Sequence, residues 1–226
     1  MYINRGTGFW SSMPPVVKNL VMINGIMLLI TFLTGDFMYE KFALFFFESP
    51  LFKPYQLITH MFMHGSFIHL FFNMYSLIIF GIVLEQVWGS KKFFIYYMVT
   101  GLGAAVLHSL VLYLEYSSLN GSYQAGNLMA ATGIDAIMRT PTVGASGAVF
   151  GVLLAYGMLF PNNVLQLIFP PIALKAKWFV MIFGAIELYL GISKTGSNIA
   201  HFAHLGGMLF GYLLIIYWKR KNRMYF

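Results

Sequence analysis

The chain has no cysteine and little charge: among its 226 residues Asp and Glu together number 7, and charged residues make up 9%. The first absence excludes disulfides, thiolate nucleophiles and cysteine-ligated metals. The second excludes an ordinary soluble domain, in which about a quarter of the residues are charged. What fills the chain instead is apolar, 59% hydrophobic and 18% aromatic with 23 Phe and 14 Tyr, the inventory of a protein whose rings face hydrocarbon and its borders. The net charge of +7 does not mark a nucleic-acid footprint, because the basic residues sort by membrane side. The partner expected from composition is the lipid bilayer, with no nucleic acid.

Six apolar segments reach or approach membrane length, which predicts an all-α polytopic fold in one domain over residues 1–226. Residues 1–15 form a short lead. Span one covers residues 16–34; Pro14-Pro15 precede it and no small-residue cleavage site follows, so it is expected to stay as a span. Residues 35–66 mix aromatics with Asp36, Glu40, Lys41, Glu48 and Lys53 and are broken by Pro50 and Pro54. That segment is too charged to cross and too aromatic for water, so it reads as a loop with short helices sunk in one leaflet. Span two runs from Phe67 to Val87 and span three from Lys92 to Tyr113. A polar loop from Glu115 to Thr142 follows, with Asn120-Gly121, Gly126 and Pro141 as turn signals. Span four opens at Gly144 and ends at Pro161-Asn162-Asn163. Beyond Pro170-Pro171 lie span five, Trp178 to Ile192, and, after a tight turn at Lys194 to Asn198, span six, Ile199 to Trp218. Residues 219–226 are a basic tail.

With six spans both termini share a side. Of the 14 Lys and Arg residues only Lys41, Lys53, Arg139 and Lys194 fall opposite the termini, so the positive-inside bias puts both termini in the cytoplasm.

Three spans carry polar residues that a bilayer would exclude without reason. Gly144-Ala145-Ser146-Gly147 sets a serine among small residues at the mouth of span four; on this motif alone, helix packing is the reading the spacing favours. Span two places His69, Asn73 and Ser76 on one helical face, and span six carries His201 and His204 in its first turns. All enter from the outer side, so Ser146, His69, Asn73 and His204 share one depth. Serine and histidine on neighbouring helices are the minimum for nucleophilic acyl transfer, with His69, Asn73 and the Ser146 amide as donors to an oxyanion. Interhelical hydrogen bonding is the competing role of His69 and Asn73. Ala200, His204, Gly207 and Gly211 form a small-residue stripe that can meet Gly147 and Gly151, which favours His204 over His201 as the base.

These segments together resemble the signatures of the rhomboid intramembrane serine proteases: Gly144 to Gly147, His69-x-x-x-Asn73, and Ala203-His204-Leu205-Gly206-Gly207-x-x-x-Gly211. The resemblance covers about residues 50–215. It implies a six-helix core with a membrane-embedded first loop, a Ser146–His204 dyad without a required acid, an oxyanion hole from His69, Asn73 and the Ser146 amide, and transmembrane protein substrates cut near the outer membrane face. It implies no cofactor and no metal, and a bacterial cell membrane is the expected location. Thr59-His60 and His64 resemble the structural histidines of the family's first loop, and Glu85 and Gly89 match a further pattern at the end of span two. Two departures stand out: Tyr55-Gln56 replaces a Trp-Arg pair, and Phe150 replaces a tyrosine one turn after the serine, keeping ring stacking on His204 without a phenol.

Rival readings are weaker. Ala148 breaks the G-x-S-x-G elbow of soluble hydrolases. A metal site from His60, His64 and His69 lacks a carboxylate partner. A transporter lined by Asn24 and Glu187 lacks repeated spans, although Glu187 has the depth to orient His204 as a third member. A catalytically silent rhomboid-like protein that binds membrane partners is the non-enzymatic alternative, and it would be expected to lack Ser or His.

Overall fold

The computed structural model describes residues 8–166, 171–193 and 198–221, with side chains omitted at 198–200. Most of the chain is helical. After a single turn, α1 (Phe9–Ser12), helix α2 (Pro15–Thr34) starts with proline at its first positions, where a missing N–H costs nothing. Its lipid side carries Ile26, Leu29, Phe32 and Leu33, and its buried stripe is Val17, Leu20, Asn24, Leu28 and Thr31. The first loop holds α3 (Asp36–Phe42), α4 (Gln56–Thr59) and a 3₁₀ turn (His60–Phe62).

Span two is α5 (Phe67–Ser76), a π turn (Leu77–Gly81) and α6 (Ile82–Trp88) in continuous succession. Gly89, at φ +76°, turns the chain into α7 (Ser90–Gln124). The tie is Glu85: its carboxylate accepts from the backbone N–H of Val16 (2.9 Å) and Val17 (2.8 Å), the unpaired first donors of α2, and from the Ser90 hydroxyl (2.7 Å). One buried carboxylate thus joins three helix ends.

Helix α7 corrects the expected end of span three. Its 35 residues run straight through Asn120-Gly121, giving about 52 Å of helix, and the chain turns only at Ala125-Gly126, where Gly126 has φ +97°. The following α8 (Ala130–Arg139) packs back on α7, where Phe46, Leu112 and Ile137 form a small core outside the main one. Glycine inside a helix is tolerated when its flanks are packed, and here Leu119 meets Gly133 of α8.

Helix α9 (Ser146–Leu159) is followed by a two-stranded antiparallel sheet, β1 (Val164–Gln166) with β2 (Ala173–Lys175), between spans four and five. Then come α10 (Ala176–Ile192) and α11 (Asn198–Arg220). Among the described residues, four helical segments are long and apolar enough to cross a membrane, Pro15–Thr34, Phe67–Trp88, Ser90–Gln124 and His201–Arg220; α9, with 14 residues, is a shorter apolar helix. This is a polytopic helical membrane protein, and its bilayer is part of its environment. The predicted turn at Lys194 to Ser197 lies outside the described residues.

The centre of the bundle is where α7, α9 and α11 meet at glycines. A Cβ on Gly207 would strike the Gly147 carbonyl, as the small-residue stripe predicts. Gly151 departs from that expectation: its nearest neighbour is Thr100 of α7, and Gly211 stands over Tyr96 of the same helix, whose hydroxyl donates to the Gly151 carbonyl at 2.8 Å. The stripe therefore serves a three-helix junction instead of one pair.

Candidate active site

Ser146 is the first residue of α9, two positions later than the start expected at Gly144. At about 1.5 Å per residue α9 measures about 21 Å, some 9 Å less than a hydrocarbon core of about 30 Å, which recesses one of its ends. The strand leading into it is held at three points. Thr142 exchanges both backbone hydrogen bonds with Leu44 of the first loop (2.8 and 2.9 Å), its hydroxyl contacts His108 Nε2 at 2.7 Å, and the Gly144 N–H donates to the His60 carbonyl at 3.0 Å. Gly144 then bends at φ +135°, a conformation that favours glycine. The first loop and α7 together fix where Ser146 stands, a role for His108 that nothing in the motif spacing singled out.

His204 comes from α11. Its Nε2 lies 2.8 Å from the Ser146 hydroxyl, and its ring stacks on Phe150 with centroids 4.2 Å apart and planes at 6°. Both Ser146 and His204 are half-buried. The other ring nitrogen, Nδ1, lies 2.9 Å from Glu187 Oε2 of α10 but off the N–H line, so the contact is not an aligned hydrogen bond. The same carboxylate oxygen accepts from His201 Nδ1 at 2.7 Å. One buried carboxylate oxygen of Glu187 thus sits against both imidazoles of span six. With its proton on the Glu187 side, His204 leaves Nε2 as the acceptor for Ser146 Oγ–H.

His69 faces the serine across Gly144. The point where a Gly144 Cβ would stand is 3.0 Å from His69 Nε2 and 3.5 Å from Ser146 Oγ, so imidazole and hydroxyl flank one small space that only glycine leaves open. Asn73 is buried one turn deeper and donates to the His69 carbonyl of its own helix at 2.9 Å. Beside the serine, His60, Gly101, Thr142, Gly147 and Ala203 help to line a cavity of about 40 Å³, room for water.

Among the described residues, His60, His64 and His69 do not form a cluster of closely spaced ligand atoms. His60 Nδ1–H donates to the Gln56 carbonyl (2.9 Å), while His64 is buried with its ring edge-on to His69. Burial pushes the His60 imidazole down to about 4 and that of His64 to about 3, which keeps both neutral. Where a Trp-Arg pair was missing, Gln56 does the anchoring: fully buried, its Oε1 accepts from Lys53 N–H (3.0 Å) and Phe45 N–H (3.5 Å), and its Nε2 donates to the Leu51 carbonyl (3.1 Å).

Residues 52–221 match the family model of the Rhomboid domain. The chain is 34% identical over 162 residues to RHOMBOID-like protein 2 of Arabidopsis thaliana, covering 72% of this chain and 41% of that protein. It is 32% identical over 158 residues to Rhomboid protein 1, mitochondrial, of Saccharomyces cerevisiae (70% and 40%), and 27% over 158 residues to Rhomboid protease AarA of Providencia stuartii (69% and 53%). The chain thus spans about half or less of the length of these relatives. With the match running from the first loop through the last span, the chain belongs to the rhomboid family.

Proposed function

We propose that the chain is an intramembrane serine endopeptidase that cuts transmembrane segments of membrane proteins near the outer face. The observation that carries this reading is the 2.8 Å contact between Ser146 Oγ and His204 Nε2, made between two helices at a half-buried position. In the reaction Oγ attacks the scissile carbonyl while Nε2 takes its proton, and the imidazolium returns that proton to the leaving amine. The Ser146 N–H, at the first position of α9, and His69 Nε2 stabilise the oxyanion; Asn73 joins them if its amide leaves the His69 carbonyl. Phe150 and Glu187 are positioning residues, one holding the ring plane and the other the proton on Nδ1. Water for deacylation comes from the cavity beside Thr142. Both termini lie in the cytoplasm of what we take to be a bacterial cell membrane.

The test is labelling of the detergent-solubilised chain by a fluorophosphonate, with cleavage of a transmembrane reporter alongside. Wild type is expected to label and to cut, and Ser146→Ala and His204→Asn each to do neither while keeping the wild-type unfolding profile. A folded wild type that binds the reporter without labelling or cutting is a silent binding protein, and the protease reading is then wrong.

A further inference from the structure

Among the described residues, one group of side chains brings three metal-ligating atoms within 4.8 Å of one another: Glu187, His201 and His204. It contains neither His60 nor His64 nor His69, the trio of the weaker metal-site reading. The donors converge on one point. His201 Nδ1 and His204 Nδ1 approach the same carboxylate oxygen at 2.7 and 2.9 Å, and the His204 nitrogen, though buried, has no aligned hydrogen-bond partner. Two imidazoles and one carboxylate are a donor set that suits zinc, with a fourth position left for water. Tetrahedral ligands at about 2.0–2.1 Å from zinc stand about 3.3 Å apart, so each nitrogen needs to part from the carboxylate oxygen by only about half an ångström. Access is from His201, whose side chain is 22% exposed against 11% for Glu187.

We propose that Glu187, His201 and His204 form an inhibitory zinc site that switches off the serine through the tautomer of His204; the switch rests on the protease reading above. Neutral imidazole carries one proton. In the metal-free state that proton sits on Nδ1 and the Nε2 lone pair faces Ser146. When Zn²⁺ takes the Nδ1 lone pair, the proton moves to Nε2, with no net gain or loss by the ring, and Nε2 becomes a donor towards Oγ. A base that already holds a proton cannot accept one from serine. The site and the switch share a single side chain, so zinc need not move a helix or block the path of a substrate.

The experiment uses the full chain in detergent, stripped with chelator and titrated with Zn²⁺ against a fluorescent zinc indicator, with fluorophosphonate labelling in parallel. Wild type and Ser146→Ala should each take up one zinc per chain, since the serine is no ligand. Glu187→Gln and His201→Gln should bind at least tenfold more weakly, and His69→Gln like wild type. In wild type, zinc should slow labelling at least tenfold and EDTA should restore it. Because a variant can fail to fold, Co²⁺ is added to wild type alone, where a tetrahedral nitrogen–oxygen site gives intense visible bands that zinc displaces. No uptake by wild type, equal uptake by Glu187→Gln and His201→Gln, or binding without slowed labelling would each overturn the proposal. If no metal-free sample labels at all, the protease reading fails and the switch falls with it, whereas zinc uptake still decides the site.

Discussion

The Phe150 ring lies parallel to the His204 imidazole, 4.2 Å away, on the face that α9 turns towards α11 one helical turn after Ser146. Stacked rings are worth about 0.5–1.5 kcal/mol beyond their buried area, enough to fix which way Nε2 points. Phe150→Ala is expected to lower kcat about tenfold with little change in KM, while Phe150→Tyr keeps most of the rate. Steady-state cleavage of a reporter by the two variants checks this. Equal losses in both would mean that the ring only fills space.

Oxyanion donors are tested at His69 and Asn73. Removing one donor typically costs about 10²–10³ in kcat, and His69→Ala should fall in that range, because its Nε2 already borders the space above Gly144. Asn73→Ala should cost less, since its amide is engaged with the His69 carbonyl. Turnover unchanged in both variants would return the pair to helix packing.

A methyl group on Gly207 has no room, since it would meet the Gly147 carbonyl, whereas one on Gly25 of α2 meets nothing within 4 Å. Overpacking costs about 1–3 kcal/mol where the neighbour is rigid backbone. Gly207→Ala should lower Tm and pull His204 from Ser146, so labelling slows; Gly25→Ala should be neutral or slightly stabilising. Matched melting curves and labelling rates decide it.

Stability should fall on the acid side. The ordinary imidazole titrates near 6.5, but burial holds His60 at about 4 and, with the His69 charge adding to it, His64 at about 3. The unfolded chain therefore binds protons below about pH 6.5 that the folded chain refuses. The contribution of these histidines is complete above that pH and is lost progressively as pH drops from there through about 4 and 3, for His60 by roughly 3 kcal/mol in full. Melting in detergent between about pH 7 and 4 should show the decline, and His60→Gln should flatten it. A Tm that does not change over this range in wild type would contradict the assignment.

Entry of a membrane-embedded substrate is expected beside α10, whose only buried residues are Ala176, Val180, Glu187 and Gly191. Phe179 crosses from α10 to span two, its ring 6.4 Å from Phe80, and Phe202 of α11 covers Gly191. Phe179→Ala should speed cleavage of an embedded substrate and leave a soluble unstructured peptide unaffected; equal effects on both would move the gate to the first loop.

Much of this was legible because a bilayer penalises polar groups so heavily. Ser146, His69, Asn73 and His204 stand out in apolar spans for that reason, and residue spacing with topology is enough to place them at one depth. The extension of α7 past Gly121 was not legible, because a loop and a helix outside the membrane share the same polar composition, and only packing against α8 distinguishes them. Nor was the work of Gln56, whose hydrogen bonds reach residues 3 to 16 positions away along an irregular path. His108 acts through a contact with a distant segment, for which one sequence carries no period to read; Glu187 stands out by its depth, but not its contact with both imidazoles through one oxygen.

Glu85 has a consequence for biosynthesis. The N–H groups of Val16 and Val17 leave the ribosome 69 and 68 residues before the carboxylate that accepts from them. Until span two has been made and turned back to the same side, the start of span one keeps two unmet donors and must stay where water can serve them. The two spans are thus coupled as an inserting hairpin, with the second certifying the orientation of the first.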